Sequence, residues 1–181
     1  MQHISHFLAS CLLFVPMASK AAGLAPWNFG MSQSDVAAFA DYGPYKAFSN
    51  GDLETYSGLY DGRKENVQFF FDAKGLRRIG VYLYEGQDSE QARVAWRKLY
   101  ASLRHKYGEI ETPSLTVGVD SSAVDVEALS IAAAANTIAT GKTQMAPLKQ
   151  PQDMFVFSSF TRRRVGEADH FYVVVNFDRR Q

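Results

Sequence analysis

The first helical pattern in the chain is short and has residues typical of helix ends on both sides. Ser32 and Asp35 have the spacing of a capping box. Val36 and Phe39 follow at helical spacing, and Gly43 supplies a residue that commonly ends a helix. This pattern predicts a short amphipathic helix.

A longer helical pattern spans residues 88–107. It begins at Asp88, a favourable N-cap residue, and Gly108 ends it. Its apolar stripe consists of Ala92, Trp96, Leu99, Leu103 and Tyr107. The basic residues between them lie mostly off this stripe, so we expect the helix to pack across a sheet.

Between these helices the pattern favours four strands. They cover residues 45–49, 53–60, 66–71 and 76–84, with Asn50-Gly51 as a hairpin turn between the first two. In the fourth strand, alternation places Ile79, Val81 and Leu83 inward and both Tyr82 and Tyr84 outward. The result is an antiparallel meander with one solvent-facing surface.

Aromatic residues disappear between residues 112 and 153, where Ala, Ser, Thr and Val dominate. A third helix is predicted up to Gly141 from the helical spacing of Val124, Ala128, Ile131, Ala135 and Ile138. Residues 142–153 contain two prolines and are predicted as a linker. We therefore interpret residues 114–150 as an Ala-rich insertion.

The last pattern is a hairpin with strands at residues 154–161 and 170–177. Residues 162–169 are predicted to join them, with Gly166 available for the turn. Together the patterns predict an α+β two-layer sandwich, with an antiparallel sheet of about six strands and the long amphipathic helix packed on one face.

The N-terminal residues follow a different pattern, which is typical of a secretory signal. Residues 7–17 are apolar but too few to cross the ~30 Å hydrocarbon layer as a helix. Ser19-Lys20-Ala21 fits the small-x-small rule for a cleavage site. We expect residues 1–21 to be a signal peptide and residues 22–181 to form a single periplasmic or secreted domain.

A second processing site is suggested by Leu8-Ala9-Ser10-Cys11, which resembles the lipobox of bacterial lipoproteins. Cleavage there would leave almost no apolar region before the cut, so we do not expect a lipid anchor at Cys11. No later apolar run has the length of a transmembrane helix.

Composition narrows the classes of function. The chain has 19 basic and 19 acidic side chains, and signal cleavage removes only Lys20 from these. A near-neutral chain is a poor candidate for broad electrostatic capture of nucleic acid. Cleavage also removes Cys11, the single cysteine, so thiol chemistry is not expected in the mature protein.

Few residues of the mature chain suit catalysis or metal binding. His105 and His170 are its two histidines, and no G-x-S-x-G motif accompanies them. The pair Asp169-His170 could give an imidazole tuned for acid–base chemistry. The spacing of His, Cys, Asp and Glu suggests no compact zinc site, so no catalytic residue, metal or cofactor is predicted.

Two sets of residues are candidates for binding a partner. Tyr82 and Tyr84 would share the outward face of a strand, where tyrosine combines contact area with a polar tip. Arg162, Arg163 and Arg164 form the densest basic cluster, and their guanidinium groups could bind carboxylates or phosphates bidentately.

Short motifs resemble those of small exported bacterial proteins. Gly30-Met31-Ser32-x-x-x-Val36 is similar to a helix opening found in outer-membrane assembly lipoproteins of the SmpA/OmlA (BamE) type and in β-lactamase-inhibitor-like folds. The phrase F-x-F-D-x-x-G-L-x-x-I over residues 69–79, with Tyr107-Gly108 at the end of the long helix, resembles uncharacterised exported proteins. The matches cover residues 27–113.

This resemblance implies an α+β fold and a binding or assembly role in the cell envelope, without catalytic residues to transfer. The chain departs from the BamE-like pattern in lacking a usable lipobox and in carrying the Ala-rich segment and a second hairpin. We predict an exported, non-enzymatic binding protein of the bacterial envelope, with an immunity or inhibitor protein as a special case. The alternative is a small periplasmic hydrolase acting on cell-wall or glycan substrates.

Overall fold

Among the described residues, eight strands form one antiparallel sheet, and a separate two-stranded ribbon and three α-helices accompany it. The computed structural model describes residues 23–113, 115 and 124–180. The sheet contains β3 (Lys46–Ala47), β4 (Leu53–Tyr60), β5 (Arg63–Asp72), β6 (Gly75–Gly86), β7 (Ile110–Glu111), β8 (Lys142–Pro147), β9 (Met154–Val165) and β10 (Ala168–Arg179). The other elements are the ribbon of β1 (Gly23–Leu24) and β2 (Trp27–Asn28), the helices α1 (Gln33–Ala37), α2 (Ser89–Tyr107) and α3 (Val126–Thr140), and a 3₁₀ helix (Ala40–Tyr42).

The predicted α+β class is confirmed. The predicted signal peptide and Cys11 lie outside the described residues. The strand order is β3-β4-β5-β6-β10-β9-β8-β7. The meander β3 to β6 therefore forms one half of the sheet, and β10 joins it to a second half that comes from the C-terminal part of the chain and β7.

The predicted number of strands was too low, partly because residues 142–153 are not all linker. Residues 142–147 form β8, which pairs antiparallel with β9. In β8, Thr143 and Met145 are buried whereas Lys142 and Gln144 are exposed, which is the alternation of a strand with one face in the core. Pro147 does not interrupt β8 because it is the last residue of the strand.

The final hairpin is longer than predicted. Strands β9 and β10 extend to Val165 and Ala168, so only Gly166 and Glu167 remain between them. Gly166 has a φ of +63°, a backbone conformation that glycine adopts without strain. The three arginines placed in a loop by sequence therefore lie in β9 and alternate between the two faces of the sheet.

The long amphipathic helix is confirmed as α2. The Asp88 carboxylate accepts hydrogen bonds from the backbone N–H groups of Glu90 and Gln91, which satisfies two donors at the helix N-terminus. Trp96 is fully buried, and its ring centroid lies 5.9 Å from that of Phe160 in β9. The helix therefore packs against the core face of the sheet.

Helix α3 is confirmed, but its buried face is not the one predicted. Four members of the predicted stripe are exposed, namely Val124, Ile131, Ala135 and Ile138, with Ile131 at 54%. The buried residues are Leu129, Ser130, Ala133, Ala134 and Thr137. Small side chains let the helix approach its neighbours closely, so packing overrides the pattern of the larger apolar residues.

Contacts on both sides connect α3 with the rest of the fold. On the helix side, Arg93 and Arg97 of α2 donate hydrogen bonds to the Glu127 carboxylate. On the sheet side, the Thr137 hydroxyl donates to Thr143 Oγ1 over 3.0 Å. The Ala-rich segment thus contributes a helix and a strand to the fold. Its residues Leu129, Ala133 and Met145 belong to the central core.

Candidate binding face

One side of the sheet faces the hydrophobic core, and the opposite side carries aromatic and charged residues. The core cluster includes residues of all three helices, such as Val36, Trp96 and Ala133. In β5, β6, β9 and β10, core residues alternate with residues whose side chains point to the opposite face. These side chains lie outside the core cluster. We call this surface the open face and define it by Phe70, Arg78, Tyr82, Phe157, Arg163 and Tyr172.

A β-bulge in β6 decides where the two candidate tyrosines lie. Tyr82 pairs with Val174 and Tyr84 pairs with Val173, so Leu83 is an extra residue between adjacent partners. A bulge of this kind shifts the alternation of side chains along the strand. The prediction that Tyr82 and Tyr84 share one face was therefore wrong.

Tyr84 points towards the helices. It packs against the same core cluster as Val173, and its hydroxyl oxygen accepts a hydrogen bond of 2.9 Å from the backbone N–H of Asp88. Tyr84 thus supports the start of α2. Tyr82 shares the open face with its partner Val174, which is not part of the core cluster.

The three arginines also separate. Arg162 pairs across the hairpin with the core residue Phe171, and Arg164 lies on the same side as Arg162. The carboxylate of Asp169 lies 3.6 Å from Arg162 Nη1 and 2.7 Å from Arg164 Nε. Two of the three predicted binding arginines are therefore held by an acidic residue of the same hairpin.

Arg163 is different because it points to the open face. Its guanidinium lies 5.9 Å from the ring centroid of Tyr172, a distance that allows cation–π attraction. Arg163 is exposed, and within the described part of the chain it forms no ion pair at 4.0 Å or less. Of the predicted residues, the structure thus brings together Tyr82 and Arg163, and it adds Tyr172.

Tyr82 lies between charges of opposite sign. Burial raises the pKa of the Tyr82 phenol, Glu85 raises that pKa further, and Arg163 lowers it. The phenol is therefore protonated at neutral pH and can donate or accept a hydrogen bond. The centre of the open face combines an aromatic surface, a hydroxyl group and a cation.

At one end of the open face, the charges neutralise each other. Arg78 donates two hydrogen bonds to the Asp178 carboxylate, at 2.5 and 2.6 Å. The Arg78 guanidinium also lies 5.3 Å from the ring centroid of Phe157. This bidentate pair favours the charged guanidinium, and it raises the pKa of Arg78. We interpret it as a fixed border of the face.

A cleft of about 540 Å³ lies on the other side of the sheet, between α2 and the ends of β4, β5 and β6. Leu83, Tyr84 and Leu99 contribute to its walls, and Glu65 and Lys98 are among its charged residues. Burial raises the pKa of the Glu65 carboxyl, while Arg63 lowers it. Alternation in the sequence already placed Leu83 on this side, but only the bulge brings Tyr84 to it, so the sequence pattern could not reveal the complete cleft.

The pair Asp169-His170, considered above for acid–base chemistry, is separated in the structure. Asp169 and His170 are neighbours in β10 and point to opposite faces, as Asp169 contacts Arg162 and Arg164. A nitrogen of the His170 ring lies 3.1 Å from Gln87 Nε2 instead. Across residues 23–113, 115 and 124–180 there is no group of three His, Cys, Asp or Glu residues arranged to hold a metal ion.

In the part of the chain that the structure describes, no helix is both long enough and apolar enough to span a membrane. The comparisons with known proteins find no matching family model, no matching curated protein and no matching solved structure. The resemblance to BamE-type proteins therefore stays a prediction.

Sequence reasoning missed several residues of the open face. Tyr172 could have been found, because it alternates with the inward row of Val173, Val175 and Phe177. Asn66 and Glu85 were also missed, because the hydrogen bond of 2.8 Å that Asn66 Nδ2 donates to Glu85 Oε2 depends on the pairing of β5 with β6 and on the bulge at Leu83.

Proposed function

We propose that this is an exported, non-enzymatic binding protein of the cell envelope that binds another protein through the open face. In this proposal the molecule is a two-layer domain, in which the helices support one face of the sheet and leave the other face for binding. It carries no lipid anchor at Cys11 and works in the periplasm or outside the cell. Inhibition of a toxin or enzyme would be one form of this function.

The observation that carries the proposal is the grouping of Arg163, Tyr172 and Tyr82. Tyrosine and arginine are the residue types that most often dominate binding energy at protein interfaces. Arg163 is exposed and lies over the Tyr172 ring, so part of its guanidinium is already oriented before binding. Among the described residues no carboxylate lies within 4.0 Å of the Arg163 guanidinium, whereas the Asp169 carboxylate contacts both Arg162 and Arg164.

This charge pattern indicates the chemistry of the partner. An unpaired guanidinium beside two phenols suits a protein segment that carries a carboxylate next to apolar side chains. Such a carboxylate would form a bidentate pair with Arg163, while the apolar side chains would cover the rings of Tyr82 and Tyr172.

Site-specific crosslinking in intact cells tests the proposal. A photo-crosslinking phenylalanine derivative would replace Phe157 on the open face, with the exposed helix position Ile131 as the control site. We expect position 157, but not position 131, to crosslink to a defined envelope protein. Arg163→Ala should abolish that crosslink, whereas Arg164→Ala should retain it, because Arg164 already contacts Asp169 on the other face.

Equal crosslinking by the Arg163→Ala and Arg164→Ala variants would contradict the proposal, as would a partner captured only from position 131. Localisation is tested separately. N-terminal sequencing of protein recovered from the periplasm or medium should begin at Ala22, and recovery of an uncleaved cytoplasmic chain would contradict export.

A further inference from the structure

A cluster of polar side chains lies on the open face where β4, β5 and β6 adjoin. We call it the amide–carboxylate cluster and define it by Glu54, Asn66 and Glu85. Asn66 pairs across the strands with Tyr82, and its Nδ2 donates a hydrogen bond of 2.8 Å to Glu85 Oε2. Leu53 and Thr55 pair with the core residues Phe69 and Val67 and therefore face the core. Glu54, which lies between them in β4, faces the open face.

The cluster contains two carboxylates, Glu54 and Glu85, but only one of them forms an ion pair with a lysine. Glu54 is only 5% exposed, and Lys46 Nζ lies 3.1 Å from its Oε1. The Lys46 side chain itself is 74% exposed, so a solvated lysine reaches into the cluster from outside. The remaining carboxylate, Glu85, is hydrogen-bonded to the neutral amide of Asn66.

Asn66 also has an unused acceptor. The residue is 6% exposed, and its Oδ1 is buried without a hydrogen-bond partner among the described residues. Buried carbonyl oxygens are nearly always hydrogen-bonded in native proteins. An unpaired oxygen next to a carboxylate calls for a ligand that donates hydrogen bonds and carries positive charge.

We propose that the amide–carboxylate cluster binds a primary alkylammonium group, the side chain of a lysine on the partner protein. This inference rests on the proposed function, since it assigns a chemical feature to the partner of the open face. An ammonium group offers three hydrogen-bond donors and no acceptor, which matches the Asn66 oxygen and the Glu85 carboxylate. Lys46 shows that this part of the face already accepts a primary ammonium.

Two tyrosines border this site. Burial raises the pKa of the Tyr56 phenol, and the negative charges of Glu54 and Glu85 raise that pKa further. The negative charges of Glu85 and Glu54 also raise the pKa of Tyr82. Aromatic rings next to carboxylates are favourable surroundings for an organic cation.

Titration of the full mature protein with n-butylammonium tests the inference. The readout is the side-chain NH₂ resonance of Asn66 in ¹⁵N-correlated NMR spectra, assigned by its loss in Asn66→Ser. We expect a saturable shift of this resonance with n-butylammonium. Tetramethylammonium, which has the charge but no N–H donor, should not produce one.

Two variants should change the affinity in opposite directions. Glu85→Gln should weaken n-butylammonium binding about tenfold or more, because it removes the charged acceptor. Lys46→Met should strengthen binding, because it removes the internal ammonium that competes for the cluster. Glu65→Gln is the matched control, since Glu65 lines the cleft on the other side of the sheet, and it should leave the titration unchanged.

The inference is overturned if the wild-type shift does not saturate, if tetramethylammonium or n-butylguanidinium binds as well as n-butylammonium, or if Lys46→Met has no effect. The backbone spectrum of each variant shows whether it is folded. Failure of this inference is distinguishable from failure of the proposed function. If the crosslink depends on Arg163 but n-butylammonium does not bind, only the assignment of the amide–carboxylate cluster is refuted. If n-butylammonium binds but the crosslink does not depend on Arg163, only the role of the open face in binding the partner protein is refuted.

Discussion

Tyr82 and Tyr84 lie two residues apart in one strand and point to opposite faces of the sheet, because Leu83 is an extra residue between their partners Val174 and Val173. In a regular strand these two side chains would share a face. The bulge assigns Tyr82 to the open face and Tyr84 to the support of α2. The two residues should therefore respond differently to the same substitution.

Removing the Tyr84 hydroxyl should destabilise the protein. In Tyr84→Phe the backbone N–H of Asp88 loses its 2.9 Å acceptor, and we expect the free energy of unfolding to fall by about 0.5–1.5 kcal/mol. Tyr82→Phe is the matched control and should change stability by less than about 0.5 kcal/mol. Urea unfolding measures both, and equal effects would argue against the opposite placement of the two tyrosines.

The buried face of α3 can be tested with one substitution at two positions. Ala133 is fully buried, so Ala133→Leu should overpack the core and cost about 1–3 kcal/mol. Ala135 is exposed, and Ala135→Leu should stay within about 0.5 kcal/mol of wild type. Thermal or urea unfolding gives both values. A larger cost at Ala135 would support the stripe predicted from the sequence instead.

The hydroxyl of Thr137 should contribute to the attachment of α3 to the sheet. Thr137 is fully buried and donates to Thr143 Oγ1 over 3.0 Å, so Thr137→Val should lower the free energy of unfolding by about 1–2 kcal/mol. Thr140 lies at the exposed end of the same helix and serves as the control, with a smaller loss expected for Thr140→Val. Chemical denaturation compares the two variants, and similar losses would show that the Thr137 contact contributes little.

The cleft carboxyl should influence the pH dependence of stability. Burial raises the pKa of Glu65 in the folded protein, so the folded chain binds more protons than the unfolded chain between the ordinary pKa and the raised one. The contribution of Glu65 to the free energy of unfolding therefore decreases as the pH rises through that interval. Relative to wild type, Glu65→Gln should become more stable as the pH rises above the ordinary glutamate pKa of about 4.3.

A second variant checks the cause of this effect. Arg63 lowers the Glu65 pKa, so Arg63→Gln should strengthen the pH dependence that Glu65→Gln removes. Unfolding measured at several pH values in constant salt gives both results. Parallel curves for wild type and Glu65→Gln would contradict the raised pKa.

Much of the fold follows from patterns that are local in sequence. The apolar stripe of α2 and its ends at Asp88 and Gly108 could be recognised because a helix is defined by residues three and four apart and by its capping groups. The four strands of the meander were recognised for a similar reason, as their side chains alternate and glycines mark the turns, although β3 is shorter than predicted. These features predicted the α+β class and the position of the long helix.

The candidate binding site depended more on pairing between distant parts of the chain. The bulge at Leu83 exists because β6 pairs with β10, which is separated from it in sequence by α2 and α3. The pairing of β10 with β6 placed Tyr172 near Tyr82, and the pairing of β10 with β9 added Arg163 to the same face, while Asp169 contacts the other two arginines. No local pattern contains this information, because it depends on which strand lies next to which.

The sequence by itself determined the class of fold, the elements with strong periodicity, and an N-terminal segment with the properties of a secretory signal. The tertiary structure decided which side chains share a surface: it buried Ala133 in place of Ile131, and it left Arg163 open while pairing Arg164 with Asp169. The physical reason is that periodicity and caps act within a few residues, whereas a surface is assembled from strands whose register is set by packing across the whole chain.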